Sequence, residues 1–147
     1  MDDGRDAAGF LTPERVRGLF DRAVEHFNAG RFFESHEDWE TIWHEAEGAH
    51  RLWLQGLIQV AAGFHHVLHG TSSGFSKLMR SAAEKTAGYA GETHGLDGAR
   101  LAADLAPWFA FGARVAAGAP MGGPDRPPFP TLTYRDGVVR APLPPDE

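Results

Sequence analysis

The stretch from Phe27 to His44 reads F-N-A-G-R-F-F-E-S-H-E-D-W-E-T-I-W-H, and Leu54 to Gln59 adds L-Q-G-L-I-Q. Both segments have helical periodicity, yet they are rich in histidine, glutamate, tryptophan and glutamine. Some of these polar groups must therefore lie beside the hydrophobic core. A buried polar group is costly unless it is paired, so the sequence predicts a site in this region.

Glycine turns divide the first half of the chain into helices. Thr12-Pro13-Glu14 supplies the hydroxyl, proline and acid of a helix start, and Asn28-Ala29-Gly30 is a typical helix end. Helices are expected over residues 31–46 and 51–69. The second of these is apolar on nearly all sides, which predicts a central position. Gly70-Thr71-Ser72 then precedes a fourth helix.

A fifth helical stretch contains Leu101, Leu105, Trp108 and Val115, and Pro107 is expected to kink it or to start a new helix. The glycine turns at positions 30 and 70 have the spacing of helical repeats such as tetratricopeptide units. Two units are too few for a solenoid. We therefore expect an all-α fold, a compact bundle of about five helices built on two antiparallel helical hairpins.

Composition along the chain suggests three segments. They are a flexible N-terminal tail (1–11), a helical domain (12–118) and a Pro/Gly-rich C-terminal extension (119–147). In the extension, Leu132-Thr133-Tyr134, Asp136-Gly137 and Val138-Val139 have the pattern of a short β-hairpin. An isolated hairpin is only marginally stable. It is therefore expected to pack back on the helices or to reach a partner subunit.

Charge and composition exclude several classes of protein. The net charge is −6 and the basic residues form no run, which argues against binding to nucleic acid or to an anionic membrane. The chain has no cysteine, so disulfides and thiolate metal sites are excluded. It shows neither an apolar signal region nor a membrane span. We expect a cytoplasmic protein, and a homo-oligomer because the apolar helices are many for its size.

Polar residues form one stripe on each of two neighbouring helices. Gln55, Gln59 and His66 share a narrow arc of the third helix, and His36 and Glu40 are one turn apart on the second. If the stripes face each other, these five residues form a buried network. Asp38, with Glu34, Thr41 and Glu45, is expected on the solvated side. The full candidate set is His36, Glu37, Glu40, Trp43, Gln55, Gln59 and His66.

Several interpretations of this set remain open. The polar residues lock the register between helices, or the stripe of the third helix faces solvent. Alternatively they hold zinc, iron or manganese through His36, Glu37, Glu40 or His66, or form a metal-free acid/base or ligand site with Glu40 beside His36. The spacing lacks the second histidine of H-E-x-x-H and the paired E-x-x-H of di-iron bundles.

The leading hypothesis is a non-enzymatic binding or scaffold module that binds a small molecule or a protein. The alternative is a metal-dependent, hydrolase-like enzyme using the same residues. Two further histidine groups are interpreted as ordinary surface groups. One is the pair His65 and His69, which has no carboxylate on its face, and the other is Glu92 with His94 in a glycine-rich loop.

The chain resembles the bacterial and archaeal domain of unknown function 309 through three segments: 27–43, 53–66 and, more weakly, 69–79. The resemblance extends over about residues 13–90. It implies an all-helical bundle on a central hairpin pair, and no activity. The family commonly has Asn-x-x-Gly-Ala where this chain has Thr71-Ser72-Ser73-Gly74-Phe75. The resemblance also implies a family signature of Glu34, His36, Glu37, Glu40, Trp43, Gln55, Gly56 and Gln59.

Overall fold

The computed structural model of the chain describes residues 4–137. These residues form five α-helices and no strand, so the predicted all-α class is confirmed. Val138 and Val139, the second half of the predicted hairpin, lie outside the described residues. The helices are α1 (Pro13–Asn28), α2 (Phe32–Trp43), α3 (Gly48–His69), α4 (Ser72–Thr86) and α5 (Gly98–Ala116).

The helix ends near Thr12, Gly30 and Gly70 are as predicted, whereas α2 ends at Trp43 rather than at residue 46 and α3 begins at Gly48 rather than at residue 51. The Thr12 hydroxyl accepts a hydrogen bond from the Arg15 amide and caps α1. Gly30 and Gly70 both have positive φ, at 77° and 83°, a conformation that glycine adopts without a steric penalty. The fifth helix is continuous through Pro107, so no new helix starts there.

Within the described range, no helix combines the length and the apolar character that a membrane span requires.

The helices pack in chain order, α1 on α2, α2 on α3, α3 on α4 and α4 on α5. The expected central position of α3 is confirmed, because α3 packs against both hairpin neighbours. Glycines allow the close approach of α4. A Cβ at Gly56 would lie 2.5 Å from the Thr86 methyl carbon, and one at Gly112 of α5 would lie 2.6 Å from Cβ of Met79.

One aromatic ring connects most of these elements. Phe64 of α3 is fully buried. Its ring centroid lies 5.7 Å from Phe27 of α1, 5.3 Å from Phe32 of α2 and 4.5 Å from Trp108 of α5. Phe129 of the C-terminal extension also packs on it, at 5.0 Å. Four separate segments therefore meet on one side chain of the central helix.

The described part of the C-terminal extension packs back on the helices. Asn28, at the end of α1, accepts a hydrogen bond from the Leu132 amide and donates one to the Leu132 carbonyl. Trp108 donates to the Pro128 carbonyl. Tyr134 forms an antiparallel bridge with Leu96 and its hydroxyl donates to Asp21 of α1. Leu132 and Tyr134 are both buried, so this segment completes the core.

The segment before α1 is also folded against the helices. Arg5 and Leu11 form an antiparallel bridge, and both bond to Glu45 just beyond α2. The Arg5 guanidinium lies 3.1 Å from the Glu45 carboxylate, which also accepts from the Leu11 amide at 3.0 Å. The N-terminal segment thus covers the α2–α3 connection.

Phe75 lies at the position where the resemblance described above implies alanine, and it is a core residue of this chain. It is fully buried, with its ring 6.0 Å from Trp108 and 5.8 Å from Phe111. Both partners belong to α5. The larger side chain therefore fills space between α4 and α5.

Phe64→Ala is expected to reduce the free energy of unfolding by about 3–5 kcal/mol, because it leaves a cavity where four segments meet. Urea denaturation followed by circular dichroism measures the loss. Phe33→Ala on α2 is the matched control, since Phe33 is 49% exposed, and we expect less than about 1 kcal/mol there. Equal losses in the two variants would contradict the central role of Phe64.

Candidate functional site

The predicted polar network lies at the α2–α3 interface, but its two halves are not hydrogen-bonded to each other. His36 and Glu40 form a pair with Nε2 and Oε2 3.5 Å apart, and the Glu40 side chain is 47% exposed. Gln55 and Gln59 are half-buried on α3. Among residues 4–137, no hydrogen bond joins the α2 pair to these glutamines. Instead Nδ1 of His36 and Oε1 of Gln59 are buried without a partner.

Aromatic and cation–π contacts hold the two helices together at this face. Phe33 of α2 lies between His36 and His65, with its ring centroid 5.7 Å from each. At the other end, the Arg51 guanidinium of α3 lies 4.0 Å from the ring centroid of Trp43. Such contacts need no hydrogen-bonded polar partner across the interface.

His66 and Glu37 do not join this group. His66 packs on the α3–α4 hairpin, where a Cβ at Gly74 would lie 3.0 Å from two atoms of its ring. Glu37 is exposed on α2. Of the four residues expected to hold a metal, His36 and Glu40 lie together as a pair, whereas Glu37 and His66 lie apart from them. Across residues 4–137, no three histidine or acidic side chains converge as metal ligands.

The sequence predicted that Asp38 of α2 is solvated, and this prediction is wrong because Asp38 pairs with a buried histidine of α1. Asp38 is 13% exposed, and its Oδ2 lies 2.7 Å from Nδ1 of His26. His26 of α1 is itself buried. The error arose because α1 covers this side of α2. Burial raises the pKa of Asp38 above its usual range, although the His26 hydrogen bond and the nearby Arg22 act in the opposite direction.

Two histidines from distant parts of the chain meet at the N-terminal end of α3. Nε2 of His50 and Nε2 of His94 are 2.8 Å apart. The His94 ring stacks on the buried Phe20 at 4.5 Å, and the His50 ring stacks on Trp53 at 6.3 Å. The sequence suggested that His94 was an ordinary surface group. Its packing instead makes it part of a second candidate site.

The backbone at His94 is unusual and firmly held. Its φ is 55°, a positive value that no other non-glycine residue of the described range adopts. The Glu92 carboxylate accepts a hydrogen bond from the His94 amide at 2.6 Å, and Arg17 donates to the His94 carbonyl. Tyr89 donates from its hydroxyl to the Glu92 carbonyl.

Burial lowers the pKa of both imidazoles in this pair. For His94, proximity to His50 lowers the pKa further, and so does Arg17, whereas Glu92 and Asp21 raise it. For His50, burial lowers the pKa and Glu92 opposes the shift. Glu92 has a lowered pKa, chiefly because the His94 amide donates to its carboxylate. The pair is therefore uncharged at neutral pH.

A cleft of about 630 Å³ lies between α4, α5 and the loop that connects them. This volume is within the range of small-molecule sites, about 300–1,000 Å³. Its walls are mainly apolar, with the aromatic rings of Trp53 and Phe109, the side chains of Leu101 and Leu105, and several alanines. The cleft therefore offers a hydrophobic surface for a ligand.

Four polar side chains line this cleft, and three are satisfied by the protein. Thr86 donates to the Ala82 carbonyl, Tyr89 to the Glu92 carbonyl and Thr93 to the Leu96 carbonyl. The fourth, Arg135, is exposed and donates to the Thr93 hydroxyl at 2.6 Å. No carboxylate of residues 4–137 lies within 4 Å of its guanidinium. Arg135 therefore provides a positive charge at the edge of an apolar cleft.

Comparison with known families finds a match that runs from the middle of α1 to the middle of α4. Residues 20–78 match the family described as "Domain of unknown function (DUF309)". This part of the chain is similar to the DUF309 family, and residues 20–78 are called the DUF309 segment below. The resemblance inferred from the sequence is thus confirmed for this segment, and the family description assigns no activity. None of the curated proteins compared with the chain matches it.

Both sites found in the structure combine the DUF309 segment with residues beyond it. The segment supplies His50 to the histidine pair, and the loop after α4 supplies His94. It supplies Trp53 to the cleft, whereas α5 and Arg135 come from outside residues 20–78. The residues added after the segment therefore create these sites.

Sequence reasoning missed these residues for identifiable reasons. His26 and Asp38 are twelve positions apart around the Gly30 turn, as are Ala23 and Ser35, which are also hydrogen-bonded. The short Gly30 turn indicated that α1 and α2 are neighbours, but it did not specify which side of α2 faces α1. The pairing of His50 with His94 gave no local signal, because it depends on the path of the loop between α4 and α5.

Two of the acidic side chains of α2, Asp38 and Glu40, should differ in their effect on stability. Asp38→Ala removes the partner of a buried histidine, and a loss of about 3–5 kcal/mol in the free energy of unfolding is expected. Glu40→Ala breaks a half-exposed pair one turn apart and should cost about 0.3–0.5 kcal/mol. Urea denaturation at pH 7 compares them. A larger loss for Glu40→Ala would show that the His36–Glu40 pair is the structural one.

Stability should fall as the pH drops through the titration of the histidine pair. Because burial lowers both folded-state pKa values below the usual 6.5, the uncharged pair contributes fully to stability above pH 6.5. The contribution is lost as the pH falls through the folded-state pKa values. Urea denaturation between pH 7.5 and pH 5, with a chelator present, measures this.

The control for the pH series is the double variant His50→Gln, His94→Asn, in which asparagine tolerates positive φ. Its free energy of unfolding should depend less on pH than that of the unmodified chain. Parallel pH profiles for the two proteins would contradict the assignment.

Proposed function

We propose that this protein is a non-enzymatic binding protein, and that its ligand is a small amphiphile with an apolar body and an anionic head. The binding site is the cleft between α4 and α5. The observation that supports this most directly is the exposed Arg135 guanidinium at the edge of a cleft with otherwise apolar walls.

The apolar walls favour a hydrocarbon or aromatic group in the body of the cleft. Leu101, Leu105 and Phe109 come from α5, and the indole ring of Trp53 forms part of the opposite wall. Trp53 is held by stacking on Tyr89, with ring centroids 5.1 Å apart and an interplanar angle of 13°. A rigid apolar surface binds a ligand with little loss of side-chain entropy.

Arg135 favours an anionic head. A guanidinium has five N–H donors, and the described contacts of Arg135 use its Nε and Nη2 atoms. Nη1 is available to a carboxylate, which accepts strong charge-assisted hydrogen bonds. The positive charge of Arg135 also helps to lower the pKa of Glu92. The Glu92 carboxylate therefore offsets part of that charge, and a monoanionic head is favoured over a more highly charged one.

No observation favours the alternative of a metal-dependent hydrolase built on the α2–α3 residues. Of its four expected ligands, only His36 and Glu40 lie together, as described above. The binding interpretation also agrees with the hydrogen bonds of Thr86, Tyr89 and Thr93. Their hydroxyl groups donate to main-chain carbonyls and hold the main chain around the cleft in position.

Decanoate is a suitable probe because it combines a single carboxylate with an apolar chain. Isothermal titration below its micellar concentration should show one molecule of decanoate bound per chain. Ala106→Trp places a large ring in the cleft and should weaken binding about tenfold or more, equivalent to at least about 1.4 kcal/mol. Ala103→Trp is the matched control, since Ala103 is exposed on the same helix and does not line the cleft.

Arg135→Gln tests the anionic head separately. It should weaken decanoate binding and leave the binding of 1-decanol unchanged, because only the carboxylate uses the charge. If Ala106→Trp and Ala103→Trp bind decanoate equally well, the cleft is not the site. If Arg135→Gln affects decanoate and decanol alike, the charge does not select the ligand.

A further inference from the structure

The histidine pair and the proposed ligand cleft are connected by the loop between α4 and α5. Most of this loop lines the cleft, including Tyr89 and Thr93, and His94 follows directly in the sequence. Ring stacking connects the same two places. Tyr89 stacks on Trp53 at 5.1 Å, and His50 stacks on Trp53 at 6.3 Å. Any movement of His94 away from α3 therefore also moves a wall of the cleft.

The two imidazoles face each other in an N–H···N hydrogen bond. The Nε2 atoms of His50 and His94 are 2.8 Å apart and the ring centroids 5.0 Å apart, so both nitrogens lie between the rings. One Nε2 donates its proton and the other accepts it with a lone pair. A first added proton goes to Nδ1 of the donor ring and leaves the bond intact. A second proton occupies the accepting Nε2, which removes the bond and leaves two positive rings in contact.

Burial makes this pair respond to acid. The charged groups near it are Arg17 and Asp21 of α1, Glu92 of the loop, Arg135, which acts on Glu92, and, at the α2–α3 connection, Glu47 and Glu45, which is paired with Arg5. Burial is nonetheless the largest effect on the pKa of both histidines, and it lowers both values. Release of the loop exposes the rings to water, so the released loop binds protons more tightly. A fall in pH therefore favours release.

We propose that the hydrogen bond between His50 and His94 is a pH-sensitive switch, which holds the loop against α3 until both rings are protonated and whose loss opens the wall of the cleft. The φ of His94, 55°, agrees with this direction of change, because an unusual backbone conformation persists only where its surroundings enforce it. Acid therefore weakens binding in the cleft. The effect on the ligand rests on the proposed function of the cleft, whereas release of the loop does not.

Proton NMR of the full chain between pH 7.5 and pH 5.0 tests the release of the loop. Stacking on Trp53 shifts the ring-proton resonances of Tyr89 away from those of an unstructured chain. We expect them to move toward unstructured values as the pH falls. Tyr134, the other tyrosine of the chain, is buried, and its resonances should stay in place. An unchanged Tyr89, or equal changes in both tyrosines, which indicate unfolding of the whole chain, would overturn the proposal.

Two double variants serve as controls for this pH response. His50→Gln, His94→Asn removes both titrating rings, and its Tyr89 resonances should not change with pH. The matched control His65→Gln, His69→Gln removes two histidines at the other end of α3, whose ring centroids are 4.2 Å apart, and it should keep the full response. A response kept in the first variant, or lost only in the second, would contradict the assignment of the switch.

Isothermal titration with 1-decanol measures the consequence for the cleft, because this probe has no group that titrates in the pH range used. Its affinity for the unmodified chain should fall about tenfold or more between pH 7.5 and pH 5.0, and should stay constant in His50→Gln, His94→Asn. If Tyr89 responds to pH and 1-decanol binds equally well at both values, the loop does not control the cleft and the proposal is wrong. If 1-decanol does not bind at pH 7.5, the proposed function fails, and the Tyr89 resonances alone decide whether the switch exists.

Discussion

The contact of Phe64 with rings from four other segments is the constraint on which the rest of the structure depends. A ring in the middle of α3 can contact Phe27, Phe32, Trp108 and Phe129 together only if both hairpins and the C-terminal extension reach the same point. This single position therefore couples the DUF309 segment to α5 and to the residues beyond it. Close packing makes such a position sensitive to small changes of volume.

The same coupling produces the candidate sites. Packing of α5 on α4 leaves the cleft open between them, and the extension returns along α1 to place Arg135 at its edge. The loop between α4 and α5 crosses the N-terminal end of α3, which carries His50. His94 reaches this position only because that loop is fixed at Glu92 and at Arg17. Both sites are thus consequences of the elements added to the segment.

The α2–α3 face shows how the contacts of a polar stripe depend on tertiary packing. Phe33 and Trp43 make the contacts at its two ends. His36 and Gln59 each have a buried atom without a partner. On the opposite side of α2, the neighbouring helix α1 buried Asp38, which periodicity alone had placed in solvent.

The sequence by itself determined the five helices and the α1 and α3 ends, because caps, glycine turns and helical periodicity act over a few residues. It also determined the central position of α3 and the DUF309 resemblance. Only the tertiary structure decided which ionisable groups meet, as with His26 and Asp38 or His50 and His94. These pairings depend on the register of a hairpin and on the path of a loop, and no local pattern in the sequence specifies the distance between residues 50 and 94.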